Sequence, residues 1–324
     1  MRNLRSDTFV RPGVLGRLLS LFITLALVSL IVAAIFALIP GDPVTLLTGT
    51  SASPEQVEAL RERLHLGDHI ASRYFFWLQH AVRGNFGESI RYAVPVRTLI
   101  FHRLSVTATL AAMAAFLVIL VSLPLAIFLV RSRNRAVRGI IDNTLLVGLS
   151  VPNYITGILF IWVFGILLRF FAPGNFVPFA KSPALYFRAV AFPAIAVAVP
   201  NICMLTRFLA GSIRTELEKD YVRTARSKGG TSGYILYRHV LKNAALPAVT
   251  LSGILLADIL SGSIILEQVF AVPGIGRLLI SGINGRDFPV VITIVLYTSF
   301  VVVVVNFIAE SLTRRLDART KGWR

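Results

Sequence analysis

The chain has 324 residues, 55% of them hydrophobic and only 15% charged, and its mean hydropathy is positive. The formal net charge of +17 admits a nucleic-acid partner, but the distribution of the charges argues against one. A single cysteine, Cys203, rules out an intrachain disulfide, a CxxC motif and a thiolate metal cluster.

The apolar residues are not spread along amphipathic elements. They gather into six runs of spanning length, read as transmembrane helices: Leu18–Ile39, Leu104–Val130, Asn143–Leu168, Ala189–Thr206, Pro247–Leu266 and Pro289–Ile308. A backbone in lipid must satisfy its own hydrogen bonds, so an all-α membrane protein is predicted. The first run follows four arginines, as a signal peptide would. It is too long for a signal h-region and leads into IPGDP rather than a small-residue cleavage site, so it reads as a retained anchor.

Residues 40–103 form the longest polar connection, with seven arginines against six acids. Ser53-Pro54-Glu55-Gln56 offers a cap, a first-turn proline and a capping-box Gln for a helix ending near Gly67. A second helix, about Ile70 to Val82, carries Tyr74, Phe75, Trp77 and Leu78, and Gly84 follows it. Together they predict a small helical cap over one mouth of the bundle. His65, His69 and His80 lie here too, but only the first pair shares a helix face and Gly67 interrupts that helix, so no metal site is expected.

Beyond the second span, RSRNRAVR (131–138) packs four arginines into eight residues. With a cytoplasmic N-terminus, the inside segments 1–17, 131–138, 207–246 and 309–324 hold 21 of the 33 Lys and Arg, as the positive-inside rule requires. Orientation therefore accounts for the charge, and both termini are expected in the cytoplasm. Pro124, Pro152, Pro193 and Pro200 fall within spans, where each removes a backbone donor and favours a kink. Asp258, midway along the fifth span, and Glu267, at its outer end, are candidate pathway-lining acids; Glu267 reads equally as an interfacial residue in contact with water.

Residues 220–247 are a polar insert between two spans. Asp220 can cap a helix running to Lys228, and Gly229-Gly230 can supply the left-handed turn that stops it. Thr231 or Ser232 can cap a second helix, with Leu236 and Val240 on one face and Arg238 and Lys242 on another, before Pro247 begins the fifth span. From these residues alone, a basic loop lying on anionic lipid remains open.

The order of residues goes further. Asp220-Tyr221-Val222-Arg223-Thr224-Ala225-Arg226-Ser227-Lys228-Gly229, then Arg238-His239, Asn243 and Leu246-Pro247, resembles the coupling loop of ABC importer permeases. PGDPV (40–44), Leu66-Gly67, GNFGES (84–89) and Pro95-Val96 resemble the N-terminal half of the dipeptide/oligopeptide/nickel permease family, in its first-permease type. Glu267-x-x-Phe270, PGIGR (273–277), RDFP (286–289), Asn306 and Leu316-Asp317-x-Arg319 resemble its C-terminal half. Departures are Ser227 where the family's corner has Ala, Arg223-Thr224-Ala225 in place of Glu-Ala-Ala, and Ala318 where a proline is usual.

The resemblance implies a type I ABC importer permease fold and a place in the bacterial inner membrane. It implies a cytoplasmic coupling loop at 207–246 that docks on an ATPase through Asp220, Tyr221, Arg223, Thr224, Ala225, Lys228, Gly229, Arg238, His239, Asn243 and Pro247. Expected partners are a second permease, two ATPase subunits, an extracytoplasmic solute-binding protein and membrane lipid. The cargo it implies is short peptides, with nickel chelates, opines or glycosides as alternatives. No cofactor is expected on this chain; ATP and Mg belong to the ATPases, and no GxxxxGK[ST] loop occurs here. An ion-coupled secondary transporter would show inverted repeats and several intramembrane acids, and a membrane enzyme a polar catalytic set; neither pattern is present.

Overall fold

The structure, a computed structural model, describes residues 14–38, 55 and 70–316. The expected helix opened by Ser53, the PGDPV and Leu66-Gly67 motifs, His65, His69 and the Leu316-Asp317-x-Arg319 tail beyond Leu316 lie outside the described residues. Long helices dominate: α1 (Val14–Leu38), α2 (Ile70–Ala81), α3 (Val96–Arg131), α4 (Arg135–Ser150) and α5 (Asn153–Phe160, continued by a wider π turn over Ile161–Leu167). There follow α6 (Pro183–Leu217), α7 (Asp220–Ser227), α8 (Ser232–Ile235, with a π turn over Leu236–Val240), α9 (Leu241–Val269), α10 (Ile275–Asn284) and α11 (Phe288–Leu316).

Five stretches among the described residues are long and apolar enough to cross a membrane, and α4 with α5 makes a sixth, bent by 103°. The third predicted span is therefore corrected: it is not one rod. Val151 is extended (φ −89°, ψ 119°), the conformation forced on a residue before proline, and Pro152 then opens α5 in a new direction. Pro124, Pro193 and Pro200 are accommodated inside α3 and α6. A second correction concerns Pro247. It does not begin the fifth span, because helix runs through it from Ser232 to Val269. In the turn before it, the Ser212 hydroxyl of α6 donates to the Ala244 carbonyl at 3.0 Å.

The core lies where α6 packs along α3 and α9. Alanines 194, 196, 198, 210 and 244 line it, letting the backbones approach closely in a setting where lipid offers no hydrophobic driving force. Gly253 has the same use against α11: a Cβ there would sit 2.8 Å from Asn306 Oδ1. A second cluster joins α1, α2 and α11. Tyr74 and Trp77 are buried in it, the Tyr74 hydroxyl lies 2.8 Å from Ser29 Oγ, and Trp77 Nε1 donates to the Phe86 carbonyl at 3.2 Å. Phe75 is exposed, and its ring meets Tyr74 edge-on with centroids 5.6 Å apart.

Candidate functional site

The polar insert folds as a bracket with one buried edge. In α7 only Val222 is fully buried, while Arg223, Thr224, Arg226, Ser227 and Lys228 are exposed. In α8 and its π turn Ile235, Leu236 and Val240 are buried and Tyr234, Tyr237, Arg238 and His239 exposed. The four apolar anchors belong to the same core as Leu209 and Ile213 of α6, so the bracket is fixed to the spans by packing rather than held by a tether. The π turn has a wider bore than an α-helix, and such turns are frequent at functional positions.

The corner is built from backbone. Gly229 has φ +83°, and its N–H donates to Arg226 O at 2.9 Å. The Gly230 N–H donates to Ala225 O at 3.1 Å, which satisfies the freed carbonyls of α7 and ends the helix. The two glycines serve different needs. A Cβ on Gly229 would meet nothing within 4 Å, whereas one on Gly230 would lie 2.9 Å from Ala225 O and 3.2 Å from Ile235 Cγ1. Thr231 caps the following helix, its hydroxyl accepting from Tyr234 N at 3.3 Å.

At the start of α7 the cap expected from Asp220 is not made. Lys219 occupies the cap position, and Asp220 lies one residue inside the first turn, where its charge faces the helix's positive end and lies 3.6 Å from Arg223. The helix is instead anchored by Glu216, which accepts from the Tyr221 hydroxyl at 2.8 Å and from Lys219 Nζ. Ala225 is half-buried beneath the corner; Asn243 is half-buried and Pro247 exposed along the helix that follows. Glu216, Tyr234 and Tyr237 escaped the sequence reading. The two tyrosines carried a legible signal, an i, i+3 aromatic pair in a polar insert. Tyr237 accepts from Arg131 at 3.4 Å, which ties the bracket to the end of α3.

The two intramembrane acids part company. Asp258 is exposed on α9, and its Oδ2 accepts from the Asn201 amide of α6 at 2.9 Å. Glu267 has no exposed surface, so neither its pathway-lining reading nor its interfacial one holds. Its carboxylate accepts from Thr107 Oγ1 at 2.6 Å, Gly276 N at 2.6 Å and Arg277 N at 3.3 Å. It therefore caps the N-terminus of α10 from inside the core. The Thr107 hydroxyl in turn accepts from Ile275 N at 2.9 Å. Asp287 plays the same part nearby: with no exposed surface, it accepts from Ser89 Oγ at 2.5 Å and from the N–H groups of Ile90 and Arg91 at 3.2 Å each. The GNFGES and RDFP motifs are thus two halves of one joint.

The architecture is a helical bundle of membrane-spanning length with a packed, basic helical bracket at one end. Residues 119–322 match the family of binding-protein-dependent transport system inner membrane components, and residues 12–111 match its N-terminal companion family. The chain belongs to this family; it is a multi-pass membrane subunit of an ABC importer and not an enzyme. It is 30% identical over 95% of its length to the "Probable peptide ABC transporter permease protein y4tP" of Sinorhizobium fredii, covering 98% of that protein. It is 32% identical over 86% of its length to the oligopeptide transport system permease protein AppB of Bacillus subtilis, covering 90% of that protein. Among solved structures, a chain of the inward-facing MetNI methionine ABC transporter superposes with a TM-score of 0.55 at 17% identity, over 67% of this chain and 96% of that one. That likeness establishes the shared fold.

Proposed function

We propose that the chain forms half of a translocation pathway for short peptides, driven by two separate ATPase subunits that grip the bracket. A second, different permease chain supplies the other half, and an extracytoplasmic solute-binding protein delivers the cargo. Both termini, the 131–138 loop and the 207–246 bracket face the cytoplasm; residues 40–103 face outward. The observation that carries this reading is the bracket itself. Arg223, Thr224, Lys228, Arg238 and His239 are presented outward, while Val222, Ile235, Leu236 and Val240 root the same segment in the core of the spans. A charged face that also presents Tyr234 and Tyr237 suits a protein groove, and a rooted one can transmit force. The peptide names of relatives aligned over nearly the whole chain support the cargo.

The test is purification of the transporter through a tag on this chain, with native mass spectrometry of the complex. A second permease and two ATPase copies are expected, and proteoliposomes should take up peptides only with ATP and the binding protein. Single cysteines at Ser51 and Ser132, in a Cys203→Ser background, should react with impermeant reagent in intact cells at Ser51 alone. Purification without an ATPase, or reaction at Ser132 alone, overturns the reading.

A further inference from the structure

The exposed stripe of α9 runs Thr250, Ile254, Asp258, Ser261, Ile265 and Gln268, one helical face from end to end. Four of these six are polar, in a helix that otherwise reads as a span. The exposed side of α1 is different: Phe22, Ile23, Leu27, Leu30, Ile31 and Ile35 present only hydrocarbon. A surface that faces lipid looks like α1, since polar side chains at membrane depth face protein or water. The α9 stripe therefore faces protein or water rather than lipid.

Asp258 is placed midway between Pro247 and Val269, at the depth where an anion is hardest to hold. Its surroundings are prepared for it. Asn201 is 2% exposed, and its amide donates both to Val197 O at 3.1 Å and to Asp258 Oδ2 at 2.9 Å, which fixes the carboxylate's orientation. One turn along α9, Gly262 leaves room for Asn153, whose Nδ2 would lie 2.6 Å from a Cβ there. Asn153 opens α5 directly after the Pro152 bend, so the bend delivers an amide to the same notch. Among the described residues no Lys, Arg or His forms an ion pair with Asp258. Among the described residues Oδ1 accepts no hydrogen bond and faces no paired cation.

We propose that Asp258, oriented by Asn201, is a station in the translocation path that receives an ammonium group of the passing cargo. A peptide's α-ammonium supplies a compact positive charge and three donors, and a carboxylate with one oxygen already held offers the other. The proposal rests on the peptide reading only for the cargo's identity; the site's preference for ammonium stands independently of it.

The experiment places a cysteine at Ser261, one turn from Asp258, in the Cys203→Ser background and in the assembled transporter in nanodiscs. Reaction rates are compared for aminoethyl methanethiosulfonate, a primary ammonium, and the anionic sulfonatoethyl reagent, each normalised to a free thiol. A unit negative charge about 6 Å away favours the ammonium reagent by about ten-fold even at the dielectric of water. Asp258→Asn and Asp258→Ser should bring the ratio to about one, and Asp258→Glu should keep it. Equal rates in the presence of Asp258, or no reaction with either reagent because lipid or the second permease covers the stripe, overturn the proposal. In parallel, Asp258→Asn should cut uptake of trialanine at least ten-fold with complex yield unchanged; unaltered uptake also overturns it. Should the unsubstituted transporter take up no peptide while the Asp258-dependent selectivity persists, the peptide reading falls and the ammonium station stands.

Discussion

The two ends of the molecule use glycine and charge in opposite ways. At the bracket, Gly229 is needed for its conformation: φ is +83° and the space beside it is empty. Around Glu267, glycine is needed for its size. A Cβ on Gly274 would lie 2.2 Å from the Glu267 carboxyl carbon, and one on Gly276 would lie 2.3 Å from Ile264 Cα. The charges follow the same division. Asp220 and Arg223 are exposed, while Glu267 and Asp287 have no exposed surface and accept only internal donors. One end is shaped to meet another molecule and tolerates local change. The other is a closed joint in which buried carboxylates cap helix ends and turns.

The largest effect expected from this contrast is at the closed end. Gly276→Ala pushes a methyl into the backbone of α9, where Ile264 Cα and O would lie at 2.3 and 2.8 Å. Neither can rotate aside, so α10 must lift and loosen the bonds from Gly276 and Arg277 to Glu267. A destabilisation of about 2 kcal/mol or more is expected from such overpacking. It should appear as a loss of complex surviving a heat challenge in detergent, before any assay of transport. A variant as heat-resistant as the parent would mean that the joint is looser than its contacts imply, and the contrast between the ends would collapse.

A smaller structural effect with a larger functional one is expected at Gly229. A side chain there meets no atom, so Gly229→Val leaves the spans folded and the complex yield unchanged. The left-handed conformation costs an L-residue about 1–2 kcal/mol, more when β-branched, and this penalty tilts α7 out of register. ATP hydrolysis should stop responding to loaded binding protein, and uptake should fall to background. Normal coupled transport by this variant would show that the corner does not carry the stroke, and would return the bracket to the role of a basic loop on lipid.

How far these features could be read in advance follows from the range over which their causes act. The spans were legible because lipid imposes length and composition locally. The Gly229 corner was legible because helix, double glycine and threonine cap are contiguous. The prolines were not, because their effect depends on neighbours. Pro247 is carried inside a helix with Ser212 of another helix bonding the adjacent turn, while Pro152 breaks its span. Glu267 was misread for the same reason. Its donors are Thr107, 160 positions away, and the amides of a helix whose docking no local pattern announces. Asp258 was legible as a mid-span acid, but the polar stripe that gives it meaning emerges only once exposure is known along α9.

The smallest effect expected is at Arg223, and it sharpens the account of the open end. Its guanidinium is 77% exposed and its one ion pair, to Asp220, spans 3.6 Å between two solvated groups. A pair of this kind contributes below about 1 kcal/mol to stability, so Arg223→Ala should leave the thermal stability of the complex unchanged. Its effect on coupling depends on how the ATPase groove reads the bracket. If shape and the buried roots dominate, the neighbouring charges of Arg226 and Lys228 compensate, and uptake should fall by no more than about two-fold, within the worth of one exposed contact. A groove that instead desolvates Arg223 against a carboxylate would turn the same truncation into the loss of a buried charge pair, with coupling falling more than ten-fold. Measuring peptide-stimulated ATP hydrolysis for Arg223→Ala beside Arg223→Lys separates these cases. Rescue by lysine indicates charge alone, and failure of lysine to rescue indicates a planar, two-pronged contact that only the guanidinium can make.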